Sequence, residues 1–145
     1  MSSAVWLGRS VAHRLLPIPF FCERVAAGFP SPAQGYVEKT LDLNELCVRH
    51  PAATFFVRAQ GDSMTGVGIY PNDVLVVDRA LAPRHGDIVI AGIDGEFTVK
   101  ELQLHPSPRL LPRNPAYAPI AIPEGSEMEV FGVVTNVIRQ LSRPR

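Results

Sequence analysis

Beyond its first fifty residues the chain is a succession of short apolar runs cut apart by turn-forming residues. The runs at 54–58, 73–78, 87–93, 97–104, 110–112, 120–122 and 128–138 are rich in Val, Ile and Phe. Turn residues such as Gly, Pro, Asn, Asp and Ser recur between them, the pattern of strands rather than helices. Asp94-Gly95 lies between two of these runs, and both residues tolerate positive φ, which predicts a tight hairpin. With 14 prolines and 11 glycines along the chain, room for a substantial helix remains only within the first twenty or so residues and at 42–50.

The fold expected is therefore mostly β: a compact, largely antiparallel arrangement of short strands, with no alternation of strand and helix. The segment Gly28-Phe29-Pro30-Ser31-Pro32-Ala33-Gln34-Gly35 carries two glycines and two prolines and reads as an extended, accessible connector. It divides a flexible N-terminal arm from the strand-dense domain at 54–141, with residues 142–145 as a tail.

Length and composition narrow the classes of function. At 145 residues and 46% apolar, the chain can bury one core but not two comfortable ones. Fourteen basic and fourteen acidic side chains cancel, so the basic stripe required for direct nucleic-acid binding is missing. Cys22 and Cys47 lie far apart without a second ligand pair, which argues against a zinc site and against a disulfide framework. No metal and no cofactor are expected. Arg9, Arg14, Pro17 and Pro19 interrupt the apolar letters near the N-terminus, so neither a signal-peptide core nor a membrane span is expected. A cytoplasmic protein with reduced thiols follows.

Two residues stand out chemically. Ser63 sits in Gln60-Gly61-Asp62-Ser63-Met64-Thr65-Gly66, directly after an apolar strand. Such a turn can present a hydroxyl and aim backbone N–H groups at one point, where they can form an oxyanion hole. Alone, a serine in a Gly/Asp turn is an ordinary turn residue. Lysine usage sharpens the picture, since twelve of the fourteen basic residues are arginine and only Lys39 and Lys100 are lysine. Arginine is no base near neutral pH, whereas a lysine can become one.

Strand alternation puts Thr98, Lys100, Leu102 and Leu104 on one face, and its two leucines predict that this face points inward. An ammonium held there is desolvated, which lowers its pKa toward the range where it accepts a proton from serine. The plainer alternative is a lysine that lays its stem along the sheet and lifts its head to water. His13, His50, His85 and His105 have no local setting that marks one as a base, and His85 reads as a loop residue. Asp62 and Asp73 occupy turn positions and are expected to cap turns.

Gly61-Asp62-Ser63-Met64 followed by Glu96-Phe97-Thr98-Val99-Lys100 resembles the catalytic region of the LexA/UmuD family of self-cleaving peptidases, and the UmuD branch is the closer likeness. Gly28-Phe29-Pro30-Ser31-Pro32, Asp42-Leu43-Asn44-Glu45-Leu46, His85-Gly86-Asp87-Ile88-Val89-Ile90 and Val130-Phe131-Gly132-Val133-Val134 extend the likeness in order and spacing over about 24–140. The resemblance implies a strongly bent sheet of the kind LexA and signal peptidases share. It implies a Ser63–Lys100 dyad, with the backbone N–H groups of Ser63 and a neighbour such as Asp62 holding the oxyanion, that cuts the chain's own Ala27–Gly28 bond, releasing residues 1–27 and leaving 28–145, in which 28–53 is the connector.

It also implies a homodimer, stimulation by a RecA filament on single-stranded DNA, and a processed form that joins a UmuC-like subunit in error-prone translesion synthesis during the SOS response. The arm at 1–23 and the basic end at 139–145 show no convincing match. The rival reading is a non-catalytic dimeric β module that docks on a polymerase. A signal peptidase would need a membrane anchor near its serine, and a phage-type repressor would need a DNA-reading helix pair.

Overall fold

In the computed structural model the described residues are 3–9, 18–21, 37–126 and 128–142. Ten strands and one short helix follow in order: β1 Ser3–Arg9, β2 Ile18–Phe21, β3 Val37–Leu41, α1 Leu43–Cys47, β4 Thr54–Gln60, β5 Val74–Asp78, β6 Ile88–Ile93, β7 Glu96–Gln103, β8 Arg109–Leu111, β9 Ile120–Ala121 and β10 Met128–Ile138. The mostly β, antiparallel fold read from the pattern is the one observed. Every strand expected beyond residue 53 forms, to within a residue or two at its ends.

Eight strands make one sheet in the order β1-β4-β5-β10-β6-β7-β8-β9. β1 also pairs with β7, through Ser3 opposite Thr98, so the sheet curls round on itself and closes. The long β10 serves two neighbours by bulging, its register with β6 shifting between Val130 and Gly132 and its register with β5 between Val134 and Asn136. Each bulge bends the strand and adds twist, which lets one strand turn the corner of a strongly curved sheet.

The first twenty residues correct the sequence reading. The sequence leaves room there for a helix, but Ser3–Arg9 pairs antiparallel with β4 and Ile18–Phe21 pairs with β3. Arginine and proline spoil helical periodicity without hindering a strand whose partner lies far along the chain. The helix expected at 42–50 is reduced to Leu43–Cys47, capped by the Asp42 carboxylate accepting from the Asn44 N–H at 2.7 Å.

At the predicted hairpin Ile93 pairs with Glu96, and Asp94 and Gly95 both take positive φ, 49° and 84°. That is the mirror-image turn whose twist matches its flanking strands.

The core has two halves because the central strands are covered on both faces. Val57, Ala59, Met64, Ile69, Leu75, Val77, Ile90 and Val99 form one, and Val89, Ala91, Leu102, Leu110 and Val133 form the other. β6 alternates between them, Ile90 facing one half and Val89 and Ala91 the other. Each fully buried Val or Leu stabilises the fold by roughly 1.5–3 kcal/mol. Leu104, expected inward with Thr98, Lys100 and Leu102, lies past the end of β7 and is 41% exposed. No helix among the described residues is long and apolar enough to cross a membrane.

Candidate active site

β4 delivers its chain directly into the turn that carries Ser63, and a 3-10 turn at Thr65–Val67 follows. β7 delivers Lys100 from across the sheet. Their side chains meet: the Lys100 Nζ lies 2.9 Å from the Ser63 Oγ, across 37 residues of sequence. Ser63 is 0% exposed and Lys100 1%. On the sequence, solvent was the plainer home for the lysine head; here it is wholly enclosed.

Three neutral oxygens surround that nitrogen: Ser63 Oγ at 2.9 Å, Thr98 Oγ1 at 2.8 Å and the Val99 carbonyl at 3.1 Å. An ammonium has three N–H donors and satisfies all of them. Burial pushes the lysine down to about 8. With one proton gone, two N–H groups keep Thr98 and Val99, and the lone pair turns to accept the Ser63 hydroxyl proton. The same contacts therefore serve both protonation states, and the base is charged or neutral without a change of place.

The turn around Ser63 is held from one side by the segment 113–117. The Arg113 N–H donates to the Ser63 carbonyl at 2.7 Å, and the Gly66 N–H donates to the Arg113 carbonyl at 2.7 Å. Asn114 Nδ2 donates to the Asp62 carbonyl at 2.9 Å, and the Tyr117 hydroxyl donates to the Asp62 carboxylate. The Arg113 guanidinium also pairs with Glu101, the neighbour of Lys100. The hydroxyl of Thr98 and this whole segment escaped the sequence reading. Asn114-Pro115 signals a turn, but nothing local names the target more than fifty residues upstream.

Of the residues singled out in the sequence, Ser63, Asp62 and Lys100 come together. Ala27, Gly28, His13 and Cys22 lie outside the described residues. Cys47 is a free thiol. His50 is bonded to Asp78 at 2.6 Å, and His85 stacks on His105 with ring centres 4.2 Å apart and accepts from the Leu104 N–H. Asp73 caps its turn by accepting from the Tyr70 N–H at 2.8 Å, and its carboxylate also pairs with Arg139 at 2.6 Å.

The Peptidase S24-like family matches residues 19–135, a span that includes both Ser63 and Lys100. The chain belongs to the S24 peptidase family. Similar proteins include Protein SamA of Salmonella typhimurium, 60% identical over 84% of this chain and 85% of its own. Protein MucA of Escherichia coli is 52% identical over 88% of each. A LexA repressor of Anaeromyxobacter sp. is 40% identical over 93% of this chain and 59% of its own. In this S24 chain Ser63 and Lys100 form the buried pair just described.

Proposed function

We propose that the chain is a self-cleaving serine peptidase of the SOS response that cuts its own Ala27–Gly28 bond. The observation that carries the reading is the enclosed contact between Lys100 Nζ and Ser63 Oγ at 2.9 Å, with burial lowering the amine to about 8. Membership of the S24 family and the similarity to SamA, MucA and a LexA repressor support it.

In the first step neutral Lys100 takes the Ser63 proton as Oγ attacks the Ala27 carbonyl carbon. The negative charge that develops on the carbonyl oxygen is met by the N–H groups of Ser63 and Asp62. As the tetrahedral species collapses, Lys100 returns the proton to the Gly28 nitrogen, the C–N bond breaks, and residues 1–27 remain as an ester on Ser63. Water, giving a proton to Lys100, then attacks the ester; the products are a free Ala27 carboxylate, a restored Ser63 hydroxyl and the chain 28–145.

Ala27 and Gly28 are a small pair, which suits backbone entry to a narrow cleft. The chain acts as a cytoplasmic homodimer whose cleavage is stimulated by a RecA filament on single-stranded DNA, and its processed form serves a UmuC-like polymerase in error-prone translesion synthesis. A cleft rarely occupied by the bond gives a slow reaction, and a partner that favours the occupied state speeds it.

Intact-mass measurement after alkaline incubation tests the chemistry. Wild type is expected to yield the 28–145 product while Ser63→Ala and Lys100→Arg stay whole. Equal behaviour of wild type and Ser63→Ala overturns the reading in favour of a non-catalytic docking module, and a cut elsewhere overturns the assignment of the bond.

A further inference from the structure

The segment 113–117 grips the carbonyls of Asp62 and Ser63. Asn114 Nδ2 donates to the Asp62 carbonyl at 2.9 Å, and the Arg113 N–H donates to the Ser63 carbonyl at 2.7 Å. In a trans peptide the C=O and the following N–H point in opposite directions across one rigid plane. Fixing the Asp62 oxygen toward Asn114 therefore aims the Ser63 N–H away from it. The Arg113 contact pins the next plane in the same sense.

Asn114 is itself locked. Its Oδ1 accepts from the Ala116 N–H at 3.0 Å, and its carbonyl accepts from the Tyr117 N–H at 3.1 Å, so the side-chain amide has a set direction. Tyr117 holds the Asp62 carboxylate, and Arg113 reaches Glu101 beside Lys100. One five-residue strap is thus referenced to both halves of the pair.

We propose that Asn114 is a positioning residue: by holding the Asp62 carbonyl it orients the Ser63 N–H that receives the oxyanion. The inference rests on the serine peptidase reading and deepens it. Asn114 touches no reacting atom, so its removal leaves nucleophile and base in place and loosens only the donor that meets the developing charge.

The test is the pH profile of self-cleavage in the full chain. Asn114→Ala and the isosteric Asn114→Asp are expected to lower the alkaline plateau about 10- to 100-fold, somewhat less than the ~10²–10³ lost when a donor is deleted outright. The midpoint, set by Lys100, is expected to stay near its wild-type value. Tyr117→Phe removes only the hydroxyl on Asp62 and is expected to give a smaller drop of the same kind; it carries the test should both Asn114 variants fail to fold.

Rates within about twofold of wild type overturn the inference, as does a displaced midpoint with an unchanged plateau, which would place the effect on the base. A rate loss that merely equals the loss of folded protein by circular dichroism also overturns it. A wild-type chain that stays whole overturns the peptidase reading and this inference together; a wild type that cuts beside equally active variants overturns the inference alone.

Discussion

Thr98 and Lys100 stand two residues apart on one face of β7, and the threonine hydroxyl oxygen accepts from the lysine Nζ at 2.8 Å. Strand alternation creates that relationship without any contribution from tertiary structure, and the Ser63 turn then completes the surroundings of the nitrogen. The amine is held by its neighbours before it is asked to act.

Self-cleavage should follow the titration of that amine. Its active form is neutral, and burial brings the group down to about 8. First-order rates taken from the loss of intact chain are expected to fall about tenfold for each pH unit below the midpoint and to level off above it. A rate independent of pH through this window would remove Lys100 as the base.

The same burial should appear in stability. The folded pKa of Lys100 lies below its unfolded value of about 10.4, so as pH rises the folded state releases its proton first and stability increases between about 8 and 10. Below that window the full cost of an enclosed charge stands, roughly 2–4 kcal/mol. In a Ser63→Ala background, Lys100→Met is expected to show its largest stability advantage near neutral pH and to lose it by about pH 10. Urea unfolding across the range checks it; a constant difference would contradict a desolvated lysine.

Gly66 meets the strap at close quarters. A Cβ there would fall 2.5 Å from the Arg113 carbonyl oxygen, a backbone atom tied to the Gly66 N–H. Gly66→Ala is expected to cost about 1–3 kcal/mol, in the range of over-packing, and to slow cleavage as well. Thermal melts and cleavage rates of the one variant check both effects.

Asp73 carries an acid-sensitive part of the stability. Its hydrogen bond from Arg139 holds the carboxyl below the usual carboxylate range. The contribution is therefore complete above the unfolded value of about 3.9 and is lost as pH falls through the lower folded one. Asp73→Asn is expected to destabilise by roughly 1–3 kcal/mol at neutral pH, with the difference shrinking below about pH 4. Denaturation midpoints of the pair over an acid series measure it.

Legibility followed the range of the interactions. Strands such as 54–60 and 128–138 announced themselves because their β-branched residues sit beside their own turn signals. β1 did not, because its pairing depends on Gln60 and Thr98, which nothing near Ser3 foretells. Ser63 and Lys100 could be singled out by a glycine-flanked turn and by the scarcity of lysine. Asn114 could not, since an asparagine before proline describes only its own turn, and the carbonyl it holds is 52 residues away.

β1 and its partner strand β4 lie on opposite sides of the Ala27–Gly28 bond in the sequence. While the chain is whole, the strand is a tethered guest at high local concentration, and its six paired positions on β4 need contend only with chain entropy. Hydrolysis at Ala27 would make the two halves of that ladder separate molecules. Occupancy of the seam would then depend on dilution, and a contact secured by connectivity would become one secured by affinity alone.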